Sequence, residues 1–309
     1  TVTLVDKGRS VGGRLATRRL AAGRADHGAQ FFTARDADFQ AYVNAWQRSG
    51  LIYEWSRGWS DGSLNPNGAD GFPRYAARDG MNGLAKALAA ELSAASNVRI
   101  VTDVRIAAVR HEGRRWLAGA DDGRQFEAGT LVMTAPVPQS IDLLARGGIT
   151  LPEICQRELG PLAYAPCLCG LYRVEGEVTL PEPGAIQRPR AEISWMADNQ
   201  RKGISPDATV ITIHAGPEFS RTYYDAPDAE VEPHLRAALI PYLGEGAIIA
   251  EAQVKRWRYA LPLVLYPQRY LKALDLPSLY FGGDAFGGPR VEGAALSGIT
   301  IGRMLAEGE

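Results

Sequence analysis

The chain has 309 residues, 46% of them hydrophobic and 22% charged, the proportions of an ordinary globular protein about two domains long. Lys and Arg number 34 against 35 Asp and Glu, so there is no field of one sign to recruit nucleic acid or an anionic membrane. Cys155, Cys167 and Cys169 make no disulfide framework, His27, His111, His214 and His234 show no metal-ligand spacing, and no apolar run approaches the ~20 residues of a membrane helix. The expectation is a cytoplasmic protein without metal, with nothing in the composition that points to a protein partner.

The opening run, Thr1 to Val5, is predicted as a buried strand that delivers Asp6 to its C-terminal edge. In dinucleotide-binding folds that carboxylate takes ribose hydroxyls and lies ~20 residues after a glycine-rich phosphate loop. Here nothing precedes it, and the expected reading is a truncated chain whose first strand, glycine loop and first helix have no counterpart.

Further along, Asp36 to Ser49 is predicted as a helix with Phe39, Tyr42, Val43 and Trp46 at helical spacing, ended by Gly50. Residues 55–80 are dense in Gly, Pro, Asn and Asp and read as a long loop or short hairpins. A helix over 82–93 and strands over 98–101, 104–109, 116–120, 125–126 and 131–136 follow. From about 150 to 268, strand-like runs over 168–174, 193–196, 209–215 and 251–257 are separated by Pro-rich turns, with one helix near 229–243. The tail returns to strand (278–281), glycine-rich turn and helix (292–307).

That order predicts an α/β fold: a discontinuous Rossmann-like domain over 1–50, 78–150 and 270–309, and an α+β, mainly antiparallel-sheet substrate domain over 51–77 and 151–269.

Three constellations carry chemistry. Gly282-Gly283-Asp284 puts a carboxylate at a strand C-terminus, and the helix beginning near Glu292-Gly293-Ala294 offers free N–H groups to partial negative charge. A flavin needs both, for its ribityl hydroxyls and for the N1–C2=O edge of its ring. Gly12-Gly13-Arg14 lets backbone approach a pyrophosphate beside a fixed cation. Asp26-His27-Gly28-Ala29-Gln30-Phe31-Phe32 suits a segment passing close under a flat ring, with His27 as a hydrogen-bonded structural group.

The blocks D-K-G-R-S-x-G-G-R, D-x-G-A-Q-F-F-T, D-G-M-N-x-L, T-A-P-V-P-Q, D-N-Q-R-K, I-H-A-G, R-W-R-Y-A and G-G-D-x-F-x-x-x-R-V-E-G-A run in this order from Thr1 to the C-terminus. Together they resemble the renalases, FAD enzymes of the flavin amine oxidase superfamily. The family's G-x-G-x-x-G loop has no counterpart here.

The resemblance implies that Asp6, with Lys7 beside it, binds the adenosine ribose, and that Gly13 lies at the cofactor, with Arg14 at the cofactor phosphates or the flavin side. It implies that Ala29, Gln30 and Phe31 line the isoalloxazine, and that Val104 meets the adenine end through its backbone. Asp284 would hold the ribityl chain, with Val291, Glu292, Gly293 and Ala294 under the pyrimidine edge. His214 would be the catalytic residue facing the flavin, and Trp195, Asn199, Arg258 and Tyr259 would contact substrate. The implied reaction is oxidation of 2- or 6-dihydro isomers of NAD(P)H to NAD(P)+, with O2 reduced to H2O2. Hydride loss from a dihydropyridine restores an aromatic cation and needs no proton transfer, so orientation suffices. The alternatives are an oxidase of small amines, for which Lys255 is the lysine beside a substrate-domain motif, and a non-catalytic scaffold that binds no flavin.

Overall fold

The computed structural model describes residues 1–61 and 71–308; residues 62–70, the middle of the expected Gly-, Pro- and Asn-rich loop, lie outside the described residues. In chain order the elements are β1 (Val2–Val5), β2 (Thr17–Leu20), β3 (Gly23–Asp26), α1 (Ala37–Arg48), β4 (Ile52–Ser56), β5 (Arg74–Ala77), α2 (Met81–Ser93) and β6 (Val98–Val101). There follow β7 (Ile106–Glu112), β8 (Arg115–Ala120), β9 (Gln125–Ala128), β10 (Leu131–Met133), α3 (Val137–Arg146), α4 (Glu153–Leu159) and β11 (Tyr164–Glu175). The chain continues through β12 (Ala185–Gln187), β13 (Ile193–Asp198), β14 (Thr209–Ala215), α5 (Pro217–Thr222), α6 (Asp228–Leu239) and β15 (Ile248–Pro262). It closes with β16 (Leu271–Ala273), β17 (Leu279–Phe281) and α7 (Arg290–Glu307).

Parallel pairing joins β1 to β6 and β10 to β17, with β16 antiparallel on the far side of β17. These short strands carry Asp6 and Asp284 at their C-terminal ends. The middle of the chain forms a five-stranded antiparallel sheet in the order β12-β13-β14-β11-β15. Ser60 bridges Ile186 and its carbonyl accepts from the Gln187 N–H, which ties the region after β4 to the edge of this sheet.

The sheet is covered on both sides, which is why β11 reads as an almost continuous buried run. Residues directly opposite in neighbouring strands share a face. Leu168, Tyr172, Val174, Ile211, Ile213 and Met196 pack under α5 and α6 with Phe219, Val231 and Leu235. On the other face Cys169, Leu171 and Val210 pack against Leu20 and Ala25 of the β2–β3 hairpin. Pro166 is accommodated at an irregularity between Ala165 and Cys167, where β11 changes register against β15.

The predicted strand over 131–136 stops at Met133, and α3 starts at Val137 with proline in its first turn. Pro136 and Pro138 open a helix here because the first turn has no N–H partner to lose. Asp36 caps α1 by accepting from the Asp38 N–H at 2.9 Å.

Candidate functional site

The segment from Asp26 to Phe31 is held by a buried hub. Asp26 Oδ1 accepts from Thr17 Oγ1 at 2.5 Å and from the Met81 N–H at 2.8 Å, and Asp26 Oδ2 accepts from Lys202 Nζ at 2.5 Å. Its carbonyl accepts from Gln30 Nε2 at 2.7 Å and from Thr212 Oγ1 at 2.8 Å. Lys202 also donates to the Gln30 carbonyl at 2.6 Å, and its ammonium sits 4.9 Å from the centre of the Trp55 ring. Asp26 and Lys202 side chains are both 0% exposed. Alongside, the Ala29 N–H donates to the Arg14 carbonyl at 2.9 Å, and a Cβ on Gly28 would stand 1.9 Å from that same oxygen.

Facing this segment is one row of the antiparallel sheet. Gln187 pairs with Trp195, Trp195 with His214, His214 with Cys169, and Cys169 with Lys255. Trp195 meets Phe31 at 5.4 Å and Trp59 at 5.0 Å between ring centres, and Trp55 lies 4.6 Å from Trp59. His27 stacks on Trp257 at 5.2 Å, and Trp257 Nε1 donates to the His27 carbonyl at 2.7 Å. His214 Nε2, His27 Nδ1, Gln30 Oε1 and the indole nitrogens of Trp195 and Trp59 are buried with no hydrogen-bond partner among the described residues. Burial, then the neighbouring His27, pushes His214 down to about 4; burial, then the Lys255 charge, pushes His27 down to about 4 as well. Both imidazoles are therefore neutral at pH 7.

A third group closes the site. Arg14 grips Asp284 with two contacts of 2.6 Å and donates to the Tyr259 carbonyl at 3.2 Å. Tyr259 lies edge-on to Tyr164 at 5.8 Å. The Gly283 N–H donates to Ser297 Oγ at 2.9 Å, which seats the loop before α7 on that helix. At the opposite end, Asp6 Oδ1 accepts from the Gly8 N–H at 2.7 Å and its carbonyl accepts from the Val104 N–H at 3.1 Å. Lys7, next to Asp6 in the chain, is exposed, as is Gly13 next to Arg14.

The flavin containing amine oxidoreductase family model matches residues 60–301. The chain belongs to that family. A putative protoporphyrinogen oxidase from Exiguobacterium sp. 255-15 matches with a TM-score of 0.69 and 14% identity, over 99% of this chain and 93% of that one. A putrescine oxidase mutant matches with a TM-score of 0.66 and 12% identity, over 98% and 93%. An oxidoreductase from Methanosarcina mazei follows with a TM-score of 0.60 and 12% identity, over 97% and 94%.

For a flavin containing amine oxidoreductase, the residues present fit the flavin. A Cβ on Gly13 would meet nothing within 4 Å, so that backbone stands open to a phosphate. The first N–H groups of α7 have no intrahelical partner, and Gly293 passes so close to Gly288 that a Cβ would lie 1.9 Å from the Gly288 carbonyl. Arg14 and Asp284 supply a cation and a hydroxyl acceptor beside Ala29 and Gln30. Gln30 Oε1 and His214 Nε2 remain to be satisfied.

The Glu292 side chain is turned away, its Oε1 accepting from the N–H groups of Arg35 and Asp36 at 2.6 and 2.8 Å, which leaves the backbone N–H groups of the helix start as the groups expected at the ring edge. Two expectations change. Asn199 is buried and fully engaged: Nδ2 donates to the Val210 carbonyl and Thr212 Oγ1, and Oδ1 accepts from the Asp26 N–H. It is part of the scaffold, not a substrate contact. Arg258 points to the α5–α6 face of the sheet, over Tyr224 at 4.5 Å and 3.4 Å from Asp225, away from His214.

Lys202, Trp55 and Trp59 are the residues that the sequence did not place here, and His27, expected as a hydrogen-bonded structural group, has its Nδ1 buried with no partner among the described residues. The lysine nearest the Ala29–Phe31 segment is Lys202, whereas Lys255 lies two strands from His214. Burial pushes the Cys167 thiol up to about 12 and the Cys169 thiol well above its ordinary value, so both pack as thiols. Among the described residues no group of three His, Cys, Asp or Glu could hold a metal ion, and no helix is long and apolar enough to cross a membrane.

Proposed function

We propose that the protein is an FAD-dependent oxidase of renalase type, which oxidises 2- or 6-dihydro isomers of NAD(P)H to NAD(P)+. The division into an FAD part (1–50, 78–150, 270–309) and a substrate part (51–77, 151–269) belongs to the same reading. When bound, FAD supplies a two-electron acceptor whose reoxidation by O2 gives H2O2. Asp6 and Val104 hold the adenosine end, Gly13 and Arg14 the phosphates, Asp284 the ribityl chain, and the N-terminus of α7 the pyrimidine edge.

The observation that carries the substrate reading is the charge state of the chamber. His214 and His27 are neutral at pH 7, and the carboxylates around them are committed: Asp26 to Lys202, Asp284 to Arg14, and Asp198 Oδ1 to the N–H groups of Gln200 and Arg201. Each keeps acceptor capacity for a hydroxyl, but the charge of Asp26 and of Asp284 is already matched by a cation and so does not call for a protonated amine. A neutral dihydropyridine ring needs no counter-ion and no proton acceptor. It needs an aromatic face to lie against, which Trp195 or Phe31, tilted 38° to one another, supplies, and polar atoms that fix its carboxamide, which His214 Nε2 and Gln30 Oε1 supply.

A small amine is the second reading. The aromatic wall of Phe31, Trp55, Trp59 and Trp195 favours it, because ring faces attract ammonium groups. Anaerobic mixing of the FAD-loaded protein with 6-dihydro-NAD(P), and separately with putrescine, distinguishes the two by which one bleaches the flavin.

A further inference from the structure

We propose that Lys202 is a positioning residue for this reaction, clamping the Ala29–Gln30–Phe31 segment against the sheet row that carries His214 and Trp195. The inference rests on the functional reading above. Lys202 lies in the turn between β13 and β14, the two strands that present Trp195 and His214. From that turn its ammonium reaches both ends of the Asp26–Gln30 loop, Asp26 Oδ2 at 2.5 Å and the Gln30 carbonyl at 2.6 Å. The loop is closed a second time by Gln30 Nε2 on the Asp26 carbonyl. The strands bearing the reactive row and the loop proposed to line the ring are therefore joined through one side chain.

Asp26 already has two other donors on its carboxylate, Thr17 Oγ1 and the Met81 N–H. A lysine is not required to satisfy Oδ1. What only a long cation provides is the simultaneous bond to the carboxylate and to a main-chain carbonyl four residues on. Trp55 covers the ammonium and continues into the Trp59–Trp195 contacts, so the clamp also abuts the aromatic wall. Burial pushes the Lys202 ammonium down from its ordinary value and the Asp26 carboxylate pushes it back up. The Lys202 charge is also among the causes that hold His214 neutral.

Lys202→Met alone strands a buried carboxylate, so the test uses Lys202→Met combined with Asp26→Asn, which removes both charges at nearly constant shape. In the FAD-loaded protein the pair is expected to keep its flavin and its affinity for NAD(P)+. The rate of flavin reduction by 6-dihydro-NAD(P) should fall by about 10²-fold, the cost of a misplacement near 1 Å, and the visible flavin band should shift. A reduction rate within about twofold of wild type, with an unshifted band, overturns the proposal. Loss of FAD also overturns it, in favour of a purely cofactor-holding role. Lys202→Arg keeps the charge in a larger, planar head that displaces the donor from Gln30; a lower Tm and a slower reduction well below that Tm are expected, and a wild-type rate overturns the proposal. If 6-dihydro-NAD(P) fails to bleach the wild-type flavin, the substrate reading fails. The band comparison then decides the clamp alone: a shift supports it and coincident bands overturn it.

Discussion

Arg14 and Asp284 meet in a two-contact ion pair across 270 residues of sequence, joining the glycine pair near the start of the chain to the last strand. Their side chains are 29% and 11% exposed, so the pair is only partly screened by solvent. Arg14→Ala leaves a mostly buried carboxylate without its cation. It should cost about 2 kcal/mol by denaturant unfolding, less than a fully buried pair costs. Arg14→Ala combined with Asp284→Asn should recover most of that loss. With Asp284→Asn measured alone as well, a double-variant loss equal to the sum of the two single losses would show that the pair contributes nothing.

Gly28 and Gly13 make opposite predictions. Gly28→Ala forces a Cβ to 1.9 Å from the Arg14 carbonyl, a main-chain atom that cannot swing aside. A loss of about 3 kcal/mol is expected, with loss of bound flavin. Gly13 has a positive φ of 50° but open space around it. Gly13→Ala should cost only about 1 kcal/mol, the penalty of a left-handed conformation. Thermal melts of the two variants check the ranking.

The histidines give the fold an acid-sensitive side. His27 and His214 titrate near 4 when folded against 6.5 when free, so between these values the unfolded chain binds more protons. Stability is therefore highest above pH 6.5 and falls as the pH drops towards 4. Tm at pH 4.5 should lie below Tm at pH 7.5, and His214→Gln should shrink the difference. A variant with the wild-type pH dependence would show that His214 does not contribute.

Arg258→Ala tests the face assignment. With its side chain over Tyr224 on the far side of the sheet, the substitution should change stability by no more than about 0.5 kcal/mol and leave KM unaltered. A raised KM with unchanged kcat would return Arg258 to the substrate side.

The geometry around the proposed site was legible in part because strand C-termini and glycines have narrow uses. Asp6 and Asp284 follow strands, Arg14 follows a glycine pair, and Trp195 and His214 share a face; their roles belong to the proposed function. Arg258 shows a signal that was present and unused. Neighbours in a strand point to opposite sides, so Arg258 and Tyr259 could not both face the chamber. Lys202 had no such signal, because a lysine in a polar turn reads as solvated until its buried partner is known. Asn199 likewise reads as a polar ligand until Asp26, Val210 and Thr212 take all its hydrogen bonds. Helices α3 and α4 each follow a proline, Pro136 and Pro152; Pro136 was read as a stop where it precedes a helix start.

His214→Ala should slow flavin reduction while FAD stays bound, because the imidazole shares a sheet face with Trp195 and none of the proposed FAD contacts depends on it. A wild-type rate in this variant would remove His214 from the reaction.

The most direct measurement of the central claim is stopped-flow absorbance of the FAD-loaded protein mixed anaerobically with 6-dihydro-NAD(P). Bleaching of the flavin at a rate that saturates with substrate, with NAD(P)+ released, is the predicted result. A flavin that stays oxidised with 6-dihydro-NAD(P) and bleaches with putrescine would contradict the claim and leave a small-amine oxidase in its place.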